Sequence, residues 1–402
     1  DVSVGAVWAD CFLLRCLSFA KQGSLWIASD ARDRGDVVPL LRRKHVDGHG
    51  PRPCGGCAAT LGELRRHRNA RLAGRFRSGS VRTFPQVAYP VIRVLFSAPR
   101  KDWEAYREPL TQAFEAVGLE ATLEFAIMPE RPETIDYIVY APSSKLNDFT
   151  PFSGAKLVQN LWAGVEEIVG NSTLTQPLAR MVDSGLTEGM VEWCVGHVLR
   201  HHLGMDAQIH GQNGVWDPVV PPLARERSVA VLGLGELGRE VCRALTALNF
   251  DLRGWSRSAR EVPGVKTFSG DDGLSAALTE AEIVVLLLPQ TPATVNVLNT
   301  SRLALLAEGA VVINPGRGPL IDDAALLAAL ESGRLAHATL DVFREEPLPA
   351  EHPFWSHQKI TVTPHIASVT RPSSAARVVA ENFRRGEAGE PFLYLVDRDR
   401  GY

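Results

Sequence analysis

Long apolar runs are missing from this sequence. No stretch of about 18 or more consecutive apolar residues occurs, and the uncharged run 283–301 is broken by Pro289, Gln290, Pro292 and Asn296, so a membrane-spanning helix is excluded. Cysteine is scarce, six in 402 residues, which excludes a small disulfide-stapled scaffold. Excess charge of one sign is lacking too. The chain sets 43 Lys+Arg against 46 Asp+Glu, a formal net charge of -3, where a nucleic-acid binder carries a strong basic excess. The start of the chain has Asp1 and Asp10 where an export signal carries positive charge, and no small-residue cleavage pattern follows. The expectation is a soluble cytoplasmic protein with neither nucleic acid nor membrane as partner, in which Cys194 and Cys242 stay reduced.

What is present is an ordinary globular composition, 45% apolar and 22% charged, long enough for two or three domains with their own cores. It is not uniform. Residues 1–90 hold thirteen Arg and two Lys against six Asp and one Glu, about +8, which leaves -11 for the remainder; they also hold Cys11, Cys16, Cys54 and Cys57. Three readings compete for this extension. His45, Cys54, Cys57 and His67 are the residue types of a tetrahedral zinc site, but their spacing fits no common finger, and no metal is expected. An Arg-rich, Glu-poor arm of disordered or targeting type is the second reading, and upstream sequence with no selected function the third. The last two stay open.

From Val91 the pattern becomes that of an α/β protein. Val91 to Ala98 reads as a strand and Trp103 to Val117 as a helix; Ile135 to Tyr140, Leu157 to Leu161 and Met181 to Val182 supply further short apolar segments, an alternation that favours parallel sheets. Thr187 to His202 reads as a long helix, capped by Thr187, that bridges two domains. A Pro-rich linker, Trp216 to Leu223, precedes a second alternating series that runs from Ser228 to about Val369.

That series opens with a strand, Val229 to Leu232, then Gly233, Gly235 and Gly238 in G-x-G-x-x-G spacing, then a helix from about Leu237 to Leu248. Gly233 makes the tight turn, Gly235 lets the backbone approach a pyrophosphate, and Gly238 lets helix pack on strand, with the phosphates at the helix N-terminus. Glycines also make ordinary turns; it is the placement between a strand and a helix that gives the motif its weight. The next strand, Asp251 to Trp255, ends in Ser256, Arg257, Ser258 and Arg260, where an NAD site carries a carboxylate for the ribose 2′-hydroxyl. Arginine pairs with a 2′-phosphate, so NADP is preferred and NAD binds more weakly. The candidate cofactor set is Gly233, Gly235, Glu236, Leu237, Gly238, Ser256, Arg257, Ser258, Arg260, Leu288, Pro289, Thr294 and Asp341.

Three later strands end in residues with chemistry, at the sheet edge where open α/β folds place ligands. Ala310 to Ile313 leads to Arg317, a guanidinium suited to a carboxylate or polarised carbonyl. Ala338 to Val342 leads through Asp341 to Glu345 and Glu346, and Lys359 to Thr363 to His365. Singly, each is as readily a surface ion pair, a solvated loop charge or a cap; jointly, Arg317, Glu346 and His365 on one edge favour catalysis, with His365 as proton donor or acceptor.

The ordered motifs GLGELG, WSRS, INPGRG, LDVFREEPLP, TPHIASVTRP and VDRDRGY resemble the D-isomer-specific 2-hydroxyacid dehydrogenases, most closely their NADPH-dependent glyoxylate/hydroxypyruvate reductase A type, over Val91 to Tyr402. The resemblance implies a flavodoxin-like substrate domain, 91–190 with 372–402, into which a Rossmann domain, 191–371, is inserted; a catalytic cleft between them; and a homodimer. It implies that Arg317 orients the substrate, that Glu346 partners His365 as proton donor, and that Asp341 faces the nicotinamide carboxamide. Trp162-Ala163-Gly164-Val165 matches a G-A-G-V turn, so that Ala163, Gly164 and Val165 offer N–H groups to a substrate carboxylate; Trp162 replaces its first glycine and narrows the pocket. Gly316 stands where alanine is common, with little effect expected. The implied reaction is NADPH-dependent reduction of a small 2-oxoacid such as glyoxylate or hydroxypyruvate. Alternatives are another NAD(P)-dependent 2-hydroxyacid dehydrogenase, or a dinucleotide-sensing regulator on the same fold.

Overall fold

The structure, a computed structural model, describes residues 90–402; the Arg-rich extension and its Cys and His residues lie outside the described residues. The first strand, β1 (Ile92–Ser97), is apolar on both sides: Val94 and Phe96 enter one core layer and Leu95 the other, as a parallel strand covered on both faces requires. Helix α1 (Arg100–Ala116) leads to β2 (Ala121–Phe125), and β3 (Tyr137–Tyr140), β4 (Leu157–Asn160) and β5 (Leu178–Ala179) complete a parallel sheet of order β2-β1-β3-β4-β5. The strand expected at Met181 to Val182 sits earlier, at β5. Leu178 and Ala179 pair with Val158 and Gln159, after which the chain turns away and the Met181 N–H bonds the Trp162 carbonyl at 3.0 Å.

Helix α2 (Ser184–His202) then carries the chain to a second sheet. Its cap is Asp183, whose carboxylate accepts from the Leu186 N–H at 3.2 Å; Thr187, the expected cap, lies inside the first turn and bonds the Asp183 carbonyl. After the short helix α3 (Met205–His210) come β6 (Ser228–Leu232), α4 (Glu236–Ala247), β7 (Asp251–Ser256), β8 (Lys266–Ser269), α5 (Gly270–Leu278), β9 (Ile283–Leu286), α6 (Thr300–Leu303), β10 (Ala310–Asn314), α7 (Asp323–Glu331), β11 (Leu335–Leu340) and β12 (Ile360–Val362). All seven strands are parallel, in the order β12-β11-β10-β9-β6-β7-β8. The order reverses between β6 and β9, and such a switch point opens a crevice at the strands' carboxyl ends. Val229, Val231, Ile283, Val285 and Ile313 pack under Met190, Cys194 and Val198 of α2, while Ala230, Leu232, Val284, Leu286 and Val312 enter the opposite layer.

Helix α8 (Pro372–Glu387) returns the chain to the first sheet. Phe383 stacks on Tyr137 with ring centroids 4.2 Å apart and on Phe114 of α1 at 5.7 Å, closing the layer that holds Val94 and Phe96. The tail continues along β5, where Leu395 bridges antiparallel to Ala179 and the Val396 N–H bonds the Leu178 carbonyl at 2.8 Å. The second sheet is thus inserted between the parts of the first. Among the described residues no helix is long and apolar enough to cross a membrane.

Candidate active site

A cleft of about 910 Å³ runs along the carboxyl edges of both sheets. The turn between β6 and α4 forms one wall, and each glycine has its own reason. Gly233 has φ 109°, and a Cβ there would strike the Leu287 carbonyl oxygen; a Cβ on Gly238 would strike the Gly233 carbonyl oxygen, so helix and strand meet at backbone distance. Around Gly235 a Cβ would meet nothing within 4 Å. No side chain caps α4 at Gly235, so the first N–H groups of the helix are left for an anion such as a diphosphate. The wall continues through Ser256, Arg257, Ser258 and Arg260, where Ser256 Oγ donates to the Ser258 carbonyl at 2.7 Å. No acidic residue interrupts this run, and the Arg257 guanidinium lies over the Tyr402 ring at 5.2 Å. These residues fit a dinucleotide with an added phosphate. Leu288, Pro289 and Thr294 complete the wall, with Thr294 Oγ1 donating to the Pro289 carbonyl at 2.8 Å.

The opposite end gathers the ionisable groups. Arg317 follows β10 on a turn held by Asn314, whose Nδ2 donates to the Arg317 carbonyl at 2.9 Å and whose Oδ1 accepts from the Gly316 N–H at 3.1 Å. Gly316 is tighter than expected: a Cβ would come within 2.9 Å of the Leu286 carbonyl oxygen. The guanidinium reaches across to Glu166 of the first lobe, Nε to Oε1 at 3.1 Å and Nη2 to Oε2 at 3.5 Å, while Nη1 donates to the Gly316 carbonyl at 2.7 Å.

His365 faces the cleft with Nδ1 2.6 Å from Glu346 Oε2. The other Glu346 oxygen accepts from the Phe343 N–H at 2.9 Å, so the carboxylate is anchored on one side and turned to the imidazole on the other. Glu346 itself stands behind the ring and does not line the cleft, and its neighbour Glu345 faces a separate small cavity. His365 takes φ 52°, a left-handed backbone that a non-glycine residue holds only where its surroundings enforce it. Asp341 does the enforcing. Fully buried, it accepts from Thr363 Oγ1 at 2.5 Å and from the N–H groups of Ile366 at 2.9 Å and Ala367 at 2.8 Å, while its carbonyl accepts from the His365 N–H at 2.9 Å. Asp341 borders the cleft, but its side chain is spent on framing the 363–367 turn.

On the first lobe, buried Asn160 donates through Nδ2 to the carbonyls of Trp162 at 2.9 Å and Gly164 at 2.8 Å. A planar trans peptide points its N–H opposite to its carbonyl, so the amides of Ala163 and Val165 are directed away from Asn160. Ala163 and Gly164 line the cleft; the Val165 side chain is instead buried in the core. Trp162 also lines the cleft. Sequence reasoning missed Glu166, Arg180, Tyr106 and Tyr402, all on the cleft wall. Burial, then Asp183 and Asp102, push the Tyr106 phenol upward, so it stays protonated; burial lowers Arg180 from its ordinary value. An Arg inside the apolar run PLARMV was the one available signal for Arg180.

The arrangement sets a carboxylate-backed imidazole and a guanidinium on the same cleft as a glycine turn suited to a dinucleotide. Residues 194–367 match the NAD-binding domain model of the D-isomer-specific 2-hydroxyacid dehydrogenases. Glyoxylate/hydroxypyruvate reductase A of Yersinia enterocolitica and that of Serratia proteamaculans are each 40% identical over 250 residues, 60% of this chain and 80% of theirs. A D-isomer-specific 2-hydroxyacid dehydrogenase from Xanthobacter autotrophicus Py2, solved with NADPH and MES, aligns with TM-score 0.70 and 38% identity over 78% of this chain and 100% of its own. The NADPH-dependent glyoxylate/hydroxypyruvate reductase of Sinorhizobium meliloti, solved with NADP and sulfate, aligns with TM-score 0.67 and 32% identity over 77% of this chain and 100% of its own. By fold, site and sequence, the chain belongs to the D-isomer-specific 2-hydroxyacid dehydrogenases, NAD(P)-dependent oxidoreductases.

Proposed function

We propose that this chain reduces small 2-oxoacids, glyoxylate and hydroxypyruvate, with NADPH as cofactor. The observation that carries the reading is the convergence of Arg317 and the His365–Glu346 pair on the cleft whose other wall is the Gly233–Gly238 turn and the Arg257 loop. When bound, NADPH supplies a hydride. Gly233, Gly235 and Gly238 admit its diphosphate to the start of α4, and Arg257 and Arg260 meet the 2′-phosphate. The Ala163 and Val165 amides and Arg317 hold the substrate carboxylate and carbonyl in one orientation. His365 gives a proton from its free ring nitrogen to the carbonyl oxygen as it becomes a hydroxyl, and Glu346 fixes the ring and stabilises its protonated form. Trp162, presented to the cleft, favours small substrates.

The assembly is read as a homodimer. Exposed Trp216, Val219, Val220 and Leu223, an apolar strap unusual on a monomer's surface, support this reading, as does the family resemblance. A cytoplasmic location accords with the buried free thiols of Cys194 and Cys242. The test follows nicotinamide absorbance with NADPH and NADH separately against glyoxylate, hydroxypyruvate and pyruvate. Rapid NADPH oxidation with either of the first two, and slower oxidation with NADH, is expected; no oxidation with any substrate would overturn the proposal.

A further inference from the structure

Resting on the reading of Arg317 as the substrate-orienting group, we infer that Glu166 is its positioning residue: it occupies one edge of the guanidinium and so dictates which edge a 2-oxoacid meets. An arginine has five N–H donors in a rigid plane. Here Nε and one N–H of Nη2 face the two Glu166 oxygens at 3.1 and 3.5 Å, and one N–H of Nη1 goes to the Gly316 carbonyl at 2.7 Å. Two donors are left, one on each terminal nitrogen. They suit two adjacent oxygens, such as a carboxylate oxygen and the neighbouring carbonyl of a 2-oxoacid.

The pairing also crosses between lobes. Glu166 follows the Trp162–Val165 turn, whose amides face away from Asn160, whereas Arg317 follows β10 of the inserted sheet. The ion pair therefore ties together the two groups that would grip one substrate carboxylate. Contact is close enough that a Cβ on Gly164 would clash with Arg317 Nη2 and lie 2.5 Å from Glu166 Oε2. Both partners are only partly exposed, 31% for the arginine side chain and 26% for the glutamate, so solvent screens the pair less than a surface bridge. Glu166 touches no reacting atom in this scheme; it acts through Arg317.

The test is calorimetric titration of oxamate, an unreactive 2-oxoacid isostere, into the full-length protein loaded with NADP, alongside glyoxylate initial rates. Glu166→Ala is expected to weaken oxamate binding and raise the glyoxylate KM by about tenfold to a hundredfold, the range for losing charge-assisted bonds that fix a binding group. NADPH affinity should not change. Glu166→Gln keeps the shape and guards against a folding defect, yet its amide nitrogen turns donor toward donor and should lose nearly as much; Glu166→Asp should recover part of the loss. In an Arg317→Ala background, Glu166→Ala should cost nothing further. Unchanged or tighter oxamate binding in Glu166→Ala and Glu166→Gln, with Arg317→Ala still impaired, would overturn the inference alone, making Glu166 a bystander or a competitor. Unimpaired oxamate binding in Arg317→Ala would overturn the reading of Arg317 itself.

Discussion

Gly235 and Gly238 stand three residues apart in one turn, but their surroundings differ, and that difference makes a paired prediction. A methyl group on Gly238 would be driven into the Gly233 carbonyl oxygen, and Gly233 cannot retreat, because its own φ of 109° and the Leu287 carbonyl fix it. Overpacking of this kind costs about 1–3 kcal/mol. If the turn yields, the displacement falls where the diphosphate would sit; at 1.4 kcal/mol per tenfold, NADPH binding should weaken about 5- to 150-fold. Gly238→Ala should therefore lower both the melting temperature and the affinity. A methyl group on Gly235 meets no protein atom within 4 Å, so Gly235→Ala should melt as the wild type does. It should still lose NADPH affinity, since the methyl group fills the space left for the ligand. Melting curves and NADPH fluorescence titrations on the two variants check this. Wild-type NADPH affinity in Gly235→Ala would refute the placement of the diphosphate.

The His365 contact distinguishes two adjacent carboxylates: Glu346→Gln should reduce turnover by roughly 10²-fold or more, within the range for a disrupted acid–base group, while Glu345→Gln, which faces a separate cavity, should leave turnover near wild type, as steady-state rates will tell. Arg257→Ala should raise the KM for NADPH and leave that for NADH nearly unchanged, because only the 2′-phosphate needs the guanidinium; equal changes would remove Arg257 from coenzyme discrimination. His201 and His337 are held neutral, chiefly by burial, with folded pKa values of about 3 and about 4 against an ordinary 6.5. Their unfolded forms take up protons first as pH falls, so stability present above pH 6.5 is progressively lost below it until the folded values are reached. His337→Gln, whose amide can keep the bond to Thr361 without titrating, should flatten the fall of the urea midpoint with acidification, and an unchanged slope would contradict this.

Legibility in the sequence followed the range of the interactions. Gly233, Gly235 and Gly238 could be read because the turn they make is decided within six residues, and buried strands such as Ala310–Asn314 announce themselves by unbroken apolar runs. Edge strands did not: Ala121–Phe125 and Lys266–Ser269 are half-exposed and mix polar with apolar residues, so no period stands out. The start of α2 was misplaced because Asp183 and Thr187 are both good caps, and the choice between them depends on Leu186 being buried, a tertiary fact. Glu166 was missed for the same reason. Its partner lies 151 residues away, and only the insertion of one sheet within the other brings the two together. Asp341 was placed at the cleft, but its work in shaping the His365 turn depends on backbone N–H groups that no residue pattern displays.

The central claim is that His365, backed by Glu346, delivers the proton when a 2-oxoacid is reduced in this cleft. The most direct test mixes NADPH-loaded wild-type protein and NADPH-loaded His365→Ala with glyoxylate in a stopped-flow instrument and follows a single turnover, with NADPH affinity measured separately. The expected result is a loss of roughly 10² to 10⁴ in the rate of the chemical step at unchanged NADPH affinity. A His365→Ala rate close to that of the wild type would contradict the account.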